Sequence, residues 1–510
     1  MPSVPSSLTG IALYAFTLFA GWTVYTWMYN LFFHPLAKFP GPRLAGMTPL
    51  WRSWRYLIAQ DHIPKLLELH KQFGNVVRIS PNELHFSDPD AYGEIYHPNR
   101  RWTKDPTLYG SMVDGTSTWS LLDYPRAKKR REVLLSHFSR KSILELQYLV
   151  QERVDVLCDA ITTQVAATGK SVNFTHGMRC FAIDTITSVC FAKPLNATWS
   201  PDFKSPMVLA MDKVLFLLET MVQFPAVRWL VRKLPPAIML ALTKSLGGYN
   251  EIRSMLSQQI LAVLADPSVL TSAPHPIIYH SLLTDGKAFS DKTDITNTMG
   301  FNDLNEEAFI LVFAGTDSTG AALTTGTIHC VENKHVYNTL KEELKTAWPV
   351  LEEKPTYETL EKLPYLTGVI KEALRLSHGA VSPPTRVVPE GGVMVSGHPI
   401  PEGTIVGMSN CLVHWSENIF PEARKFKPER WLGPQARELE PYLVTFSKGP
   451  RSCVGVNLGY CELYIAFANL FRRYDMELDG ISSEDLKWID LYIPLHVGPE
   501  MRVFTRPVTS

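Results

Sequence analysis

No charge of either sign prevails in this chain: its 50 basic and 50 acidic residues cancel. That removes the broad positive field on which general nucleic-acid binding depends. Cysteine is scarce: seven among 510 residues, at 158, 180, 190, 330, 411, 453 and 461. An odd, scattered set provides neither metal-finger spacing nor a dense disulfide framework, and suits a reducing compartment. No Gly-x-Gly-x-x-Gly unit follows a strand-like run, so the chain has no flavin or dinucleotide domain of its own. Charged residues make up only 20% and apolar ones 45%, which argues against disorder and supplies a large core.

One stretch lacks charge altogether. Residues 8–33 are dominated by Leu, Ala, Phe, Tyr and Trp, and a bilayer core takes about 20 helical residues to cross. Trp22, Tyr25, Trp27 and Tyr29 suit the interface. Lys38, Arg43, Arg52 and Arg55 follow, which places the body on the cytosolic side. A cleaved signal peptide would have a basic start and a shorter apolar run. An uncleaved anchor is therefore expected over residues 1–34. Pro35 and Pro40-Gly41-Pro42 cannot continue a helix and predict a stiff hinge over 35–50. The Asn173 and Asn196 sequons would stay unmodified on a cytosolic body.

Near the other end stands Phe446-Ser-Lys-Gly449-Pro-Arg451-Ser-Cys453-Val-Gly455, followed by an apolar helical stretch. Both glycines permit tight turns and close approach to a flat ligand. Lys448, Arg451 and the following helix dipole predict a lowered thiol pKa at Cys453. The pattern Phe-x-x-Gly-x-Arg-x-Cys-x-Gly resembles the signature of the cytochrome P450 haem-thiolate monooxygenases, and all five fixed positions match. The resemblance implies that Cys453 is the axial ligand of haem iron, with Phe446, Gly449, Arg451 and Gly455 around the cofactor. Length alone suggests about three domains. The family instead implies one large, mainly α domain with a small β portion over 51–510, behind the N-terminal transmembrane helix.

Three further segments fit the same resemblance. Residues 304–330 read as a long helix carrying Ala314-Gly315-Thr316-Asp317-Ser318-Thr319. A glycine inside a helix costs up to ~1 kcal/mol relative to alanine, which suggests that a ligand lies against the backbone at Gly315. Ala314 and Ser318 share a face, with Ala314 toward the cofactor. Asp317 and Ser318 pair an acid with a hydroxyl, a proton relay free to swing between solvent and interior. The family usually has threonine at 318. Glu372 and Arg375 are spaced i, i+3, and Arg430 lies in Pro428-Glu429-Arg430-Trp431. The resemblance implies a structural triad behind the cysteine loop. In the run Lys128-Lys129-Arg130-Arg131, Arg131 stands seven residues before Phe138, the family position of a propionate-binding arginine. The usual Trp or His four residues earlier is Ala127. Arg386 matches a second propionate arginine. The remaining basic residues, with Arg140, Lys141 and Lys448, are candidates for docking an acidic electron donor.

Short strands are expected at 76–79, 83–86, 386–388, 393–395 and 404–406. The stretch 102–122 reads as a loop over the pocket, the apolar stretch 206–230 as its roof, and 381–385 as part of its lining. Function follows from the resemblance. Haem b and O2 serve insertion of one oxygen atom, by hydroxylation or epoxidation, into a lipophilic small molecule. Electrons come from NADPH through a separate reductase, and cytochrome b5 is a possible further donor. Residues 29–42 are similar to fungal members of specialised metabolism, including terpenoid-oxidising ones, which places the protein as a single-pass protein of the endoplasmic reticulum. A haem-thiolate isomerase or peroxygenase, or a non-catalytic haem-binding membrane protein, are the competing classes. The intact Asp317-Ser318 pair speaks against both.

Overall fold

A helix of 32 residues, Phe301–Glu332, runs through the middle of the molecule. Its closest neighbour is the helix Phe174–Phe191, in which every residue except Arg179 is buried. Small residues set their spacing. A Cβ on Gly315 would lie 2.8 Å from Ile186 Cγ1, and one on Gly320 would lie 2.7 Å from Arg179 Cγ. Gly315 is thus required by helix–helix packing, not by a ligand against the backbone, and the close contact offsets its helix cost. The computed structural model describes residues 8–112, 115–234, 238, 247–284 and 299–508.

Around this pair pack Tyr124–His137, Arg140–Thr168, Pro206–Gln223, Pro364–Ser377 and Val456–Arg473. Local signals start several of them. Asp123 and Ser139 accept backbone N–H groups at Arg126 and Ser142 as N-caps. The β portion is small and peripheral. One sheet has the order β1 (Val76–Ser80), β2 (Glu83–Phe86), β7 (Ile405–Gly407), β4 (Arg386–Val387), in which only β2 and β7 run parallel. A second joins β3 (Val172–Asn173), β11 (Arg502–Pro507) and β8 (Tyr474–Leu478). Hairpins β5 (Val393–Val395) with β6 (His398–Ile400), and β9 (Trp488–Leu491) with β10 (Ile493–His496), complete it.

Two expectations need correction. The stretch 102–122 is not loop throughout, because Pro106–Met112 is helical. Asp105 Oδ1 accepts the Thr107 N–H at 2.8 Å, and Asp followed by Pro is a helix-start pair. Residues 113–114 of that stretch lie outside the described residues. The segment 35–50 is no free joint. Leu36 and Phe39 are buried in the core beside β1, and the Arg78 N–H donates to Pro40 O at 2.8 Å. Arg78 Nη1 reaches Asn30 O at 2.9 Å, and Asn30 Nδ2 reaches Met47 O at 2.9 Å. The end of the anchor is therefore bonded to the body. Asn173 is fully buried and caps its helix, so its sequon is sterically closed.

The Glu372 triad is present and buried. The Glu372 carboxylate accepts from Arg375 Nε (2.9 Å) and Nη2 (2.7 Å), Arg430 Nε (3.0 Å), Trp431 Nε1 (2.9 Å) and the Lys427 N–H (3.0 Å). Arg375 Nη1 donates onward to His414 O (2.7 Å) and Ala423 O (2.6 Å). His414 Nε2 accepts the Val444 N–H at 3.0 Å, two residues before Phe446. The triad thus holds the segment that delivers the cysteine loop.

Burial alone would raise the Glu372 pKa, but the bonds and charges of Arg375 and Arg430 prevail and hold it below the ordinary value. A depressed carboxyl contributes stability above its unfolded pKa and loses it as pH falls through the folded value. Glu372→Gln should lower unfolding free energy in a denaturant titration by about 3–5 kcal/mol. It should also remove part of the acid destabilisation that the wild type shows below about pH 4. For the anchor, deletion up to residue 28 keeps Asn30 and should give folded protein, released from membranes by carbonate. Deletion through residue 34 removes an acceptor from buried Arg78 and should cost a further ~1–3 kcal/mol in the same titration.

Candidate active site

The loop before the helix Val456–Arg473 closes on itself: the Cys453 N–H donates to Phe446 O at 2.8 Å. Gly449 turns at φ +74°, and a Cβ there would sit 2.4 Å from Tyr96 O, so this position requires glycine. Gly455 has ordinary φ −85° as N-cap, and a Cβ there would meet only Cys453 Sγ, at 4.0 Å. Six of the seven cysteines are buried; Cys453 alone is accessible. Its surroundings differ from the expected ones. Desolvation by the protein packed around it raises the thiol pKa although Cys453 is accessible, and the Gly455 N–H and Arg131 offset this only in part. Arg451 turns away to Leu122 O at 2.9 Å.

The middle of the central helix carries an exposed Ala314 and, one turn on, a half-buried Ser318. Accessible positions in a helix at the centre of the molecule mark an internal space along this face of it. Ser318 Oγ donates to Ala314 O at 2.9 Å. One residue further, Thr319 Oγ1 donates to Glu462 Oε2 at 3.0 Å, joining the central helix to the cysteine helix. Glu462 is pushed up to about 8 by burial, and its Oε1 has no partner among the described residues.

Asp317 points another way. Its Oδ1 accepts from Arg179 Nε at 2.6 Å, and Arg179 Nη2 also donates to Asp212 Oδ1 at 2.6 Å. Asp317 is buried and clamped, so it does not swing freely as expected; burial raises its pKa against the lowering pull of Arg179. Its Oδ2 lacks a partner among the described residues. The residue lines a cleft of about 540 Å³ together with Arg179, Thr324, His329, His378 and Trp488. Asp317 and Ser318, adjacent in sequence, thus border a cleft and an internal space on different faces of one helix.

Four cations converge beside the cysteine loop. Arg131 donates to the Ser452 carbonyl and, at 3.2 Å, to Ser452 Oγ. Arg386 reaches Tyr109 Oη at 3.3 Å and the carbonyls of Pro384 and Thr385, just before its strand. Arg451 is lowered to about 10 by burial and by Arg386, with its Nε unpartnered among the described residues. Lys104, buried and bonded to Trp119 O, is lowered far below its ordinary value by burial and by the fields of Arg386, Arg451 and Arg131. None of the four forms an ion pair with a carboxylate among the described residues. Concentrated positive charge at low dielectric calls for an anion. An accessible thiol on a glycine-turned loop and this cluster of cations fit haem b with its two propionates.

Arg130, one position from Arg131, is buried and paired with Glu307 at 3.1 Å, and Arg140 is held by Glu361. Arg130 leaves the expected docking set; Arg140 stays half-exposed and remains in it. Lys104, Arg179 and Glu462 were missed. Glu462 is the sole acidic residue of its helix, which was the available signal.

A family model described as Cytochrome P450 matches residues 44–491. The chain is 36% identical over 491 residues to cytochrome P450 monooxygenase macH of Penicillium terrestre, covering 94% of each. It is 31% identical to cytochrome P450 monooxygenase flvC of Aspergillus flavus, covering 96% of each. Among solved structures, the haem domain of cytochrome P450DA superposes with a TM-score of 0.72 at 15% identity, covering 92% of this chain and 97% of that one. On the fold and these matches, the chain belongs to the cytochrome P450 monooxygenases, enzymes that use haem b and dioxygen.

Proposed function

We propose that this enzyme oxygenates a lipophilic fungal specialised metabolite, of terpenoid type, by hydroxylation or epoxidation, from an anchor in the endoplasmic reticulum. The observation that carries the site assignment is Cys453, the one accessible thiol, beside four cations without carboxylate partners among the described residues. The relatives are cytochrome P450 monooxygenases of fungi, which supports oxygenation of a fungal small molecule. One helix, Thr9–Phe32, is long and apolar enough to cross a membrane, which supports the anchor.

Cys453 is assigned as axial ligand, Arg131, Arg386, Arg451 and Lys104 as propionate partners, and Phe446, Gly449, Gly455 and Ala314 as the remaining frame. When bound, haem b supplies the activation of dioxygen. The chain's own part is to move protons and exclude bulk water. Ser318 Oγ holds its proton on Ala314 O and can turn it into the internal space. Asp317, on the cleft side, replenishes that proton; Arg179 fixes its Oδ1 and leaves the buried Oδ2, without a partner among the described residues, to carry one. Electrons arrive from an NADPH-dependent reductase, with cytochrome b5 as a further donor. Lys128, Lys129 and Lys141 are exposed on the side of the cysteine loop, since Asn457 Nδ2 donates to Phe138 O at 2.8 Å. They form the docking surface for an acidic partner.

Cys453→Ser should abolish the red-shifted Soret band of the ferrous carbon monoxide complex; a retained band removes Cys453 as ligand. With reductase supplied, NADPH, oxygen, peroxide and product are measured together. Product that tracks NADPH and oxygen one to one supports a monooxygenase, and product formed without NADPH points to an isomerase. Ser318→Ala should leave the Soret band unchanged and divert electrons into hydrogen peroxide. Asp317→Asn should slow turnover by about 10²-fold. Unchanged coupling in Ser318→Ala would exclude the hydroxyl from the relay.

A further inference from the structure

Where the anchor helix Leu8–Phe32 meets the body lies a pocket of about 320 Å³. Leu31, Phe32 and Phe39 form its apolar wall, and Arg43 and Arg78 its polar wall. Arg78 is only 4% exposed. Its donors reach carbonyl oxygens alone: Pro81 O at 3.1 and 2.7 Å and Asn30 O at 2.9 Å. No carboxylate pairs with Arg78 or Arg43 among the described residues. The pocket floor is Gly46, where a Cβ would come within 3.3 Å of Arg78 Nη1. Larger residues there would close the approach to the guanidinium.

Position decides the ligand. The pocket sits at the body end of the candidate span, at the depth of headgroup phosphates. Beside it, Leu44, Leu50 and Ile58 are exposed on the two short helices Arg43–Met47 and Leu50–Trp54 and the turn after them. Ser53 Oγ bonds Gln223 Oε1 at 3.2 Å, so the helix Pro225–Lys233, with exposed Trp229 and Leu230, begins on the same side. An apolar rim around two uncompensated arginines matches a phospholipid: acyl chains along the anchor helix, phosphate on the guanidinium groups. Two positive charges without a counter-ion favour a headgroup with net negative charge.

We propose that this pocket binds one anionic glycerophospholipid, with its phosphate held by Arg43 and Arg78. The proposal rests on reading residues 9–32 as a membrane span. It adds a lipid site to that span, remote from the cysteine loop.

The test uses the full-length, haem-loaded protein, delipidated in detergent, then given phosphatidylserine or phosphatidylcholine and examined by native mass spectrometry. Wild type should retain one phosphatidylserine, with phosphatidylcholine bound roughly tenfold more weakly. Arg43→Glu, an exposed substitution, should lower phosphatidylserine retention by roughly tenfold or more, with the carbon monoxide spectrum unchanged. Gly46→Leu should do the same by filling the floor. Equal retention by wild type and Arg43→Glu overturns the site, as does equal binding of the two lipids. Displacement of the lipid by millimolar inorganic phosphate would reassign it to a free anion. Carbonate extraction of wild-type membranes separates the two readings. Protein that is released overturns the span, whereas protein that stays while binding lipid unselectively overturns the pocket alone.

Discussion

A single carboxylate, Glu372, carries much of the architecture. It accepts five hydrogen bonds, from Arg375, Arg430, Trp431 and the Lys427 backbone, with no solvent contact. Two guanidinium groups at such depth are tolerable only because this anion lies between them; without it each would be an uncompensated buried charge. The remaining Arg375 donors bind the carbonyls of His414, Ala423 and Lys425. The His414 carbonyl ends the short helix Asn410–His414 and the other two belong to irregular chain, so none has a ladder partner of its own. The route from the triad to Cys453 is therefore continuous: Arg375 to His414, His414 to Val444, and Phe446 O to the Cys453 N–H.

The cation cluster beside the cysteine loop is arranged on the opposite principle. Around Glu372 every charge has its partner. Lys104, Arg386 and Arg451 have carbonyls, rings and one another, and their pKa values respond: two are lowered, while Arg386 is sustained by Tyr109 and Tyr96. Such a cluster destabilises the folded chain by itself. The first site is stability built in; the second is positive charge left without a carboxylate among the described residues.

The sequence disclosed those features that depend on fixed spacing within one short segment. The five-position cysteine pattern, the i, i+3 Glu372–Arg375 pair and the long central helix are all of that kind, and each stands where expected. What it concealed depends on approach between distant segments. Arg179 meets Asp317 across 138 positions, and Thr319 meets Glu462 across 143. The role of Gly315 was misread for the same reason, since the Ile186 side chain that needs the space lies on another helix. Arg130 and Arg131 show the limit most sharply. Neighbours in sequence, they are about 100° apart on a helix, and one is spent on Glu307 while the other meets Ser452.

That same 100° is what makes Asp317 and Ser318 useful together. A proton donor facing the internal space must be refilled without opening that space to water, because bulk solvent there would weaken every electrostatic contact. Two residues on one face would share a single environment. Adjacent residues on a helix cannot: Ser318 is half-buried on one face, and Asp317 lines the cleft with Arg179 on another. In the proposed relay the helix itself stands between cleft water and the reacting side, and the proton passes between neighbouring side chains. Arg179 completes the arrangement. By binding Oδ1 and anchoring to Asp212, it holds Asp317 in one rotamer at the boundary, so that the acid stays on the wet side while its neighbour stays on the dry one.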